Sequence, residues 1–526
     1  MAKTKSNAAT LKEKINKEAK PLFSENAVKW VHIVVLSVVF WLLYYWIFNP
    51  DYIDLNGDNF TYFLLGKLLV AGKGFINATT VKPTPHIHFQ PGFPVLIAIC
   101  IALFNASMVD MAIIIGLLFW VSLIVLYLSL IRIQTSKSLA FVVVILVAFN
   151  QYLFSSSVSC MSEIPFVLAG ILGIYFMVRA GSENERKISV NIILSAVFFA
   201  ACYYIKTIGV ALFGALFLYL LFSRKWKHLL LANATYILLV MPWIIRGKKV
   251  GSSYASQLMQ INPYQPELGN LTLTTFIERV QNNFIRYVSI DIPTSIFGLE
   301  RVADKTPFSY WVAGIAIITI MLYAIYRLCD FKLFFLGYII AVFAILLIWP
   351  DVFGGLRFIE VLLPVFVFLL VVGVTDIFKR VFQKISLSFS PYWLLLLIFY
   401  FYPHMETLKN TLLQPIPQNY INYFELGKWA KENTPKDAIF SARKPDMFIY
   451  YSDRLTIGDK PSLSDTVVMD FFRENGVDYV VLEQLGFVST PRYLYPAIQK
   501  NAEKFAITRQ LPNPDTYLLK FSEGNR

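Results

Sequence analysis

The chain has 526 residues, 56% of them hydrophobic and only 15% charged, and its mean hydropathy is +0.56. Soluble domains carry about a quarter charged residues, so this composition excludes an ordinary soluble fold. The formal net charge is +13. Its Lys and Arg gather in short segments beside apolar runs, a pattern of orientation in a bilayer and not of a nucleic-acid surface.

In chain order, residues 1–29 form a basic tail with Lys3, Lys5, Lys12, Lys14, Lys17, Lys20 and Lys29, expected in the cytosol. No small-residue cleavage site follows the apolar run 30–48, so it reads as a retained anchor. Further apolar runs fall at 92–104, 111–131, 139–154, 164–178, 190–205, 208–222, 229–245, 310–326, 333–349, 358–374 and 392–401. The expected fold class is a polytopic α-helical membrane protein of about 11–13 spans.

Basic clusters at Arg132/Lys137, Arg186/Lys187, Arg224/Lys225/Lys227, Arg327/Lys332 and Lys379/Arg380/Lys384 read as cytosolic. Alternation then puts residues 155–163, Lys206, 247–308 and 351–357 outside. The run 92–104 is too short to span and is expected as a half-span or re-entrant piece covered by its neighbours. Residues 188–222 read as two short spans joined at the outer surface. That places Lys206 at the boundary and spares it the bilayer centre, where a lysine is expensive.

After Pro403 the composition turns polar. The expected division is a transmembrane domain over 30–405 and a small extracytosolic α/β domain over 406–526. Within the first lie an extracytosolic loop, 49–90, with an interfacial helix, and a large one, 247–308. Strands are expected at 477–482 and 516–521, the latter after the turn Pro512-Asn513-Pro514-Asp515, and helices at 423–432 and 467–475. Cys100, Cys160, Cys202 and Cys329 lie in or beside apolar runs at unrelated spacings, as packing residues do.

The residue types suited to chemistry sit at the expected outer surface. Asp58, in Asn56-Gly57-Asp58-Asn59, heads a stretch whose apolar positions 60, 63, 64, 68, 71 and 75 share a helical face, with Gly72 and Gly74 as its stop. Such a carboxylate serves either as a base or as an N-cap. Glu163 precedes Pro165 at the mouth of a span, as a functional acid or as a partner of the helix dipole. Lys206, Arg246 and Arg357 are cations fit to hold a lipid phosphate, or to snorkel at helix ends, and Arg357 has Glu360 three residues on. His86-Ile87-His88 offers two imidazoles on one side of an extended segment, too few for a metal site. No cofactor is expected, with a divalent metal as the alternative reading.

Taken together these segments resemble the GT-C superfamily of integral membrane glycosyltransferases. The likeness is to the branch of protein O-mannosyltransferases and the lipid A aminoarabinose transferase, glycosyltransferase family 39. It lies in Gly57-Asp58-Asn59-Phe60-Thr61-Tyr62, Gln90-Pro91-Gly92-Phe93-Pro94, Met161-Ser162-Glu163-Ile164-Pro165, Lys206-Thr207-Ile208-Gly209, Pro242-Trp243-Ile244-Ile245-Arg246 and Arg357-Phe358 with Pro364. The resemblance implies inverting transfer of a sugar from a polyprenyl-phosphate donor, undecaprenyl or dolichyl, to a glycan, lipid or protein acceptor. It places the reaction on the extracytosolic face of the plasma (inner) membrane, among membrane lipids and without nucleic acid. It implies Asp58 as the base, Glu163 as the second acid, and Lys206, Arg357, His88 and Arg246 as substrate-binding residues. Many relatives carry Asp-Glu where this chain has Asp58-Asn59, which leaves one candidate base in that loop. Two other readings compete: a non-catalytic subunit of envelope-polysaccharide assembly, and a transporter. A transporter needs ionisable groups near the bilayer midplane, and here they gather at one surface.

Overall fold

The computed structural model describes residues 25–522, apart from 134, 182–187, 252, 300–306, 329 and 354. The tail lysines up to Lys20, the Arg186/Lys187 cluster and Cys329 lie outside the described residues. The helices that frame the first half are α1 (Glu25–Ile47), α2 (Asp58–Val70), α3 (Gly92–Phe104), α4 (Met108–Arg132), α5 (Lys137–Ala148), α6 (Gln151–Ser157), α7 (Glu163–Gly181), α8 (Val190–Ile205), α9 (Val210–Phe222) and α10 (Trp226–Val250). They continue with α11 (Leu273–Arg286), α12 (Phe308–Arg327), α13 (Lys332–Ile348), α14 (Leu356–Glu360), α15 (Leu363–Lys384) and α16 (Leu397–Leu412).

Among the described residues α1, α4, α7, α10 and α12 are long and apolar enough to cross a bilayer. Shorter apolar helices, α3, α8, α9 and α13, pack among them. Side chains such as Leu42, Phe104, Leu238 and Phe399 stand exposed on the outer faces. So much outward apolar surface suits lipid and not water. This is a multi-pass membrane protein.

Two local features shape the bundle. The apolar run 139–154 is broken at Asn150, whose side chain accepts from the Tyr152 and Leu153 N–H groups and so starts a new helix, α6, bent by 66° from α5. The Asn150 amide also donates to the Ser295 carbonyl, which fixes the bend. Between α8 and α9, Lys206 is extended and a single 3₁₀ turn, Thr207–Gly209, interrupts the helix, at the place where two short spans were expected to join.

The C-terminal part holds α17 (Gln418–Asn433), α18 (Pro445–Ser452) and α19 (Asp465–Glu474) around a five-stranded sheet. Its strands are β1 (Phe440–Ser441), β2 (Thr456–Ile457), β3 (Tyr479–Leu482), β4 (Phe505–Leu511) and β5 (Thr516–Phe521), in the order β2-β1-β3-β5-β4. β1 pairs parallel with β2 and β3, while β5 pairs antiparallel with β3 and β4. The expected boundary at 405/406 falls inside α16, because Pro403 sits within that helix and does not end it.

α2 joins the two parts. It packs on α3 and on α18. Phe60, from α2, is fully buried in the same apolar cluster as Tyr423, Phe424, Phe440 and Phe448 of the C-terminal part, with its ring edge-on to Tyr450 at 5.2 Å. The helix expected to lie along a membrane surface packs its apolar residues against α3 on one side and the C-terminal part on the other.

Candidate active site

Gly57 opens the site. It adopts φ 99° at the start of α2, a conformation that L side chains rarely take, and a Cβ there would come within 3.3 Å of Lys444 Nζ. Because Gly57 is the cap, Asp58 stands in the first turn and makes no cap bond of its own. Its Oδ2 accepts from Arg357 Nη1 at 2.5 Å.

Arg357 reaches two acids. Its Nε donates to Glu163 Oε1 at 2.5 Å, and Lys206 Nζ donates to the same oxygen at 2.6 Å. Asp58, Arg357, Glu163 and Lys206 thus form one chain of ion pairs, drawn from α2, α14, the start of α7 and the α8–α9 turn. The Glu163 side chain is 1% exposed, against 34% for Asp58 and 35% for Arg357. Burial works against the charge on Arg357, but Glu163 and Asp58 outweigh it and hold the guanidinium above its ordinary range. The shared acidic partner of Lys206 and Arg357 is Glu163. Glu360, the local candidate three residues on, accepts from Ser156 Oγ at 2.6 Å.

Close packing brings the other segments in. Tyr62 of α2 hydrogen-bonds Ser162, next to Glu163, and its ring packs against Phe89 and Phe93 around the Gln90-Pro91-Gly92 segment. A Cβ on Gly92 would come within 2.6 Å of the Tyr204 carbonyl oxygen, so only glycine lets α3 begin so near the end of α8 and Lys206.

Asp58 lines a cavity of about 310 Å³ together with Asn56, Thr61, Asn77, His86, His88, Arg443, Lys444 and Asp446. His86 is fixed by its neighbours: Nδ1 bonds Asn77 Oδ1 at 2.7 Å and Nε2 accepts from the Phe89 N–H. Burial, with His88 and Arg246 nearby, pushes its imidazole down to about 3, so it stays neutral. Arg246 lies apart from the ion-pair chain. It donates to the carbonyls of Phe75 and His86 and its guanidinium sits 4.6 Å from the Trp243 ring, holding the loop that carries the histidines.

The Asp58-Asn59 departure has a geometric reason. One residue is about 100° around a helix. Asn59 therefore points away from the Asp58 cavity into a second one of about 240 Å³, beside Tyr52, Asp54 and Tyr450, and is 3% exposed. Its Oδ1 is buried without a partner, where a charged carboxylate would cost far more than an amide.

Sequence reasoning missed the wall built by the C-terminal part. Lys444 Nζ donates to the Asn56 carbonyl at 2.5 Å, and burial plus the adjacent Arg443 pull its ammonium below the ordinary range. Burial pushes Asp446 up to about 6, against a hydrogen bond from Thr61. The signal available was a basic pair ahead of Pro445, which no periodicity ties to a loop nearly four hundred residues earlier. Among the described residues no group of three or more His, Cys, Asp or Glu is gathered as a metal would need.

Residues 83–245 match the family model described as dolichyl-phosphate-mannose-protein mannosyltransferase. The structure is similar to the Archaeoglobus fulgidus oligosaccharyltransferase in complex with Zn and sulfate, with a TM-score of 0.59 at 14% identity, over 93% of this chain and 73% of that one. It is also similar to ArnT from Cupriavidus metallidurans bound to undecaprenyl phosphate, with a TM-score of 0.57 at 11% identity, over 95% of this chain and 99% of that one. No curated protein sequence matches the chain significantly. The chain therefore has the fold of the GT-C membrane glycosyltransferases and, over residues 83–245, the sequence pattern of the dolichyl-phosphate-mannose-protein mannosyltransferases.

Proposed function

We propose that the protein is an inverting glycosyltransferase that moves a sugar from a polyprenyl-phosphate donor to an acceptor hydroxyl on the extracytosolic face of the plasma membrane. The observation that carries this reading is Asp58: a half-exposed carboxylate on the wall of a cavity, oriented through one oxygen by Arg357. A carboxylate so held is within reach of an acceptor hydroxyl and takes its proton as the hydroxyl oxygen attacks the anomeric carbon from the face opposite the phosphate. The sugar–phosphate bond breaks, and the leaving polyprenyl phosphate carries its own negative charge.

Lys206 and Arg357 are the cations we assign to that leaving phosphate, with His88 at the cavity edge. Each keeps N–H groups beyond those given to Glu163 and Asp58. Glu163 is buried between two cations and acts as their anchor, not as a second base. That ArnT is bound to undecaprenyl phosphate supports a lipid phosphate as the carrier here. With cations supplying the stabilisation, the proposed transfer runs without a metal.

The test is sugar transfer by purified protein in lipid nanodiscs from a radiolabelled undecaprenyl-phosphate sugar, with and without EDTA. Water-soluble or lipid-extractable labelled product in both conditions supports the reading. A protein that binds the donor and never releases labelled sugar would be the assembly subunit instead.

A further inference from the structure

Arg443 and Lys444, in the turn that leads into α18, line the same cavity as Asp58. Both are half-buried, and both place their charge 4.7 Å from the Phe487 ring centroid. Arg443 Nε is buried without a hydrogen-bond partner. Lys444 spends one N–H on the Asn56 carbonyl.

The carboxylates whose charge reaches them, Asp58, Asp54 and Asp446 near Lys444 and Asp459 near Arg443, hydrogen-bond other groups, Asp459 accepting from Ser441. Asp58 pairs with Arg357, Asp446 accepts from Thr61, and Asp54 accepts from the Asn56 backbone and side-chain amides. Among the described residues neither cation has an ion-pair partner. Two adjacent, half-buried cations repel one another and have lost part of their hydration, which is costly until an anion arrives. Their free N–H groups form a donor set suited to phosphate or carboxylate oxygens.

We propose that Arg443 and Lys444 bind an anionic group of the acceptor, a phosphate or a carboxylate carried close to the hydroxyl that Asp58 deprotonates. This rests on the transferase reading and narrows it. The substrate class becomes an anionic polyol or acidic glycan, and the C-terminal domain supplies acceptor recognition. The donor phosphate keeps its own cations, Arg357 beside Asp58 and Lys206 at the far end of the ion-pair chain.

The experiment titrates full-length protein in phosphatidylcholine nanodiscs with glycerol 3-phosphate, and with glycerol as the uncharged control. Saturable binding of glycerol 3-phosphate but not of glycerol is expected. Arg443→Gln and Lys444→Gln should each weaken it by about tenfold, the scale of a charge-assisted hydrogen bond. Arg443→Lys and Lys444→Arg, which keep the charge and report on folding, should retain most of it. Undecaprenyl phosphate should bind all four variants as it binds the parent, and should not compete with glycerol 3-phosphate.

Unchanged glycerol 3-phosphate affinity in both glutamine variants would overturn the proposal. Competition between the two ligands on the unmutated protein would also overturn it, by assigning these cations to the donor. Binding is read without turnover. A protein that holds glycerol 3-phosphate through these residues yet transfers no sugar therefore overturns the transferase reading alone.

Discussion

Arg357 Nε and Glu163 Oε1 meet at 2.5 Å across 194 residues of sequence, and the carboxylate is buried while the guanidinium is only partly so. The pair fixes where Arg357 can offer its remaining N–H groups. Glu163→Gln removes the carboxylate that pairs with both Lys206 and Arg357, leaving Lys206 without that ion pair and Arg357 with Asp58 alone. Breaking a buried pair from one side costs about 3–5 kcal/mol. A clear drop in the thermal midpoint is expected, together with partial recovery in Glu163→Gln/Lys206→Met. A midpoint equal to the parent's would show that the network contributes no stability.

Asp58→Asn keeps the size of the side chain and a hydrogen-bonding oxygen for Arg357 but removes the base. Turnover should fall by about a hundredfold or more, the scale of general-base assistance, with donor affinity little changed. Single-turnover transfer alongside undecaprenyl phosphate binding reads both quantities. Near-parental turnover would leave Asp58 as a structural partner of Arg357.

Lys206→Ala and Arg357→Ala should each weaken undecaprenyl phosphate binding by about 1.5–3 kcal/mol, the worth of a hydrogen bond to a charged group. Arg357→Ala should also slow turnover beyond its effect on binding, since Asp58 loses its orienting partner. Equal donor affinity in parent and both variants would assign the two cations to Glu163 alone.

Asp459 supplies a pH test outside the membrane. Burial, aided by Glu483, raises its carboxyl from 3.8 to about 7, against a hydrogen bond from Ser441. A raised carboxyl favours the protonated folded state. Its stabilisation is fully present below about pH 4 and is lost as pH rises through about 7. Asp459→Asn should therefore flatten the loss of thermal stability over that interval. Parallel pH profiles for parent and variant would place the carboxyl in its ordinary range.

Topology is tested with single cysteines in a background lacking Cys100, Cys160, Cys202 and Cys329. The positive-inside pattern expects Lys73, Glu432 and Lys460 to face outward, and Lys227 and Lys384 inward. All five are exposed on the protein. A membrane-impermeant thiol reagent should label the first three in intact cells and the last two only after permeabilisation. Protection of Lys73→Cys or Lys460→Cys in intact cells would separate α2 from the face on which the reaction is proposed.

By itself the sequence determined the membrane class and the places where the chain turns. Apolar length and basic flanks are local properties, so the short helix Gly92–Phe104, the break at Lys206 and the strand Thr516–Phe521 were all legible. So was the set of charged residues worth testing, because a charge beside a bilayer is costly enough to stand out. Pairing was not legible. Arg357 has Glu360 three residues away and takes Glu163 and Asp58 instead, since α14 turns Glu360 toward Ser156. Nor did Asp58-Asn59 reveal that its two side chains enter different cavities, which follows from the helical turn and from Phe60 being drawn into the C-terminal core. The cationic wall at Arg443 and Lys444 belongs wholly to tertiary structure: the apolar contact through Phe60 carries it across the chain to Asp58, and burial of hydrophobic surface has no sequence range.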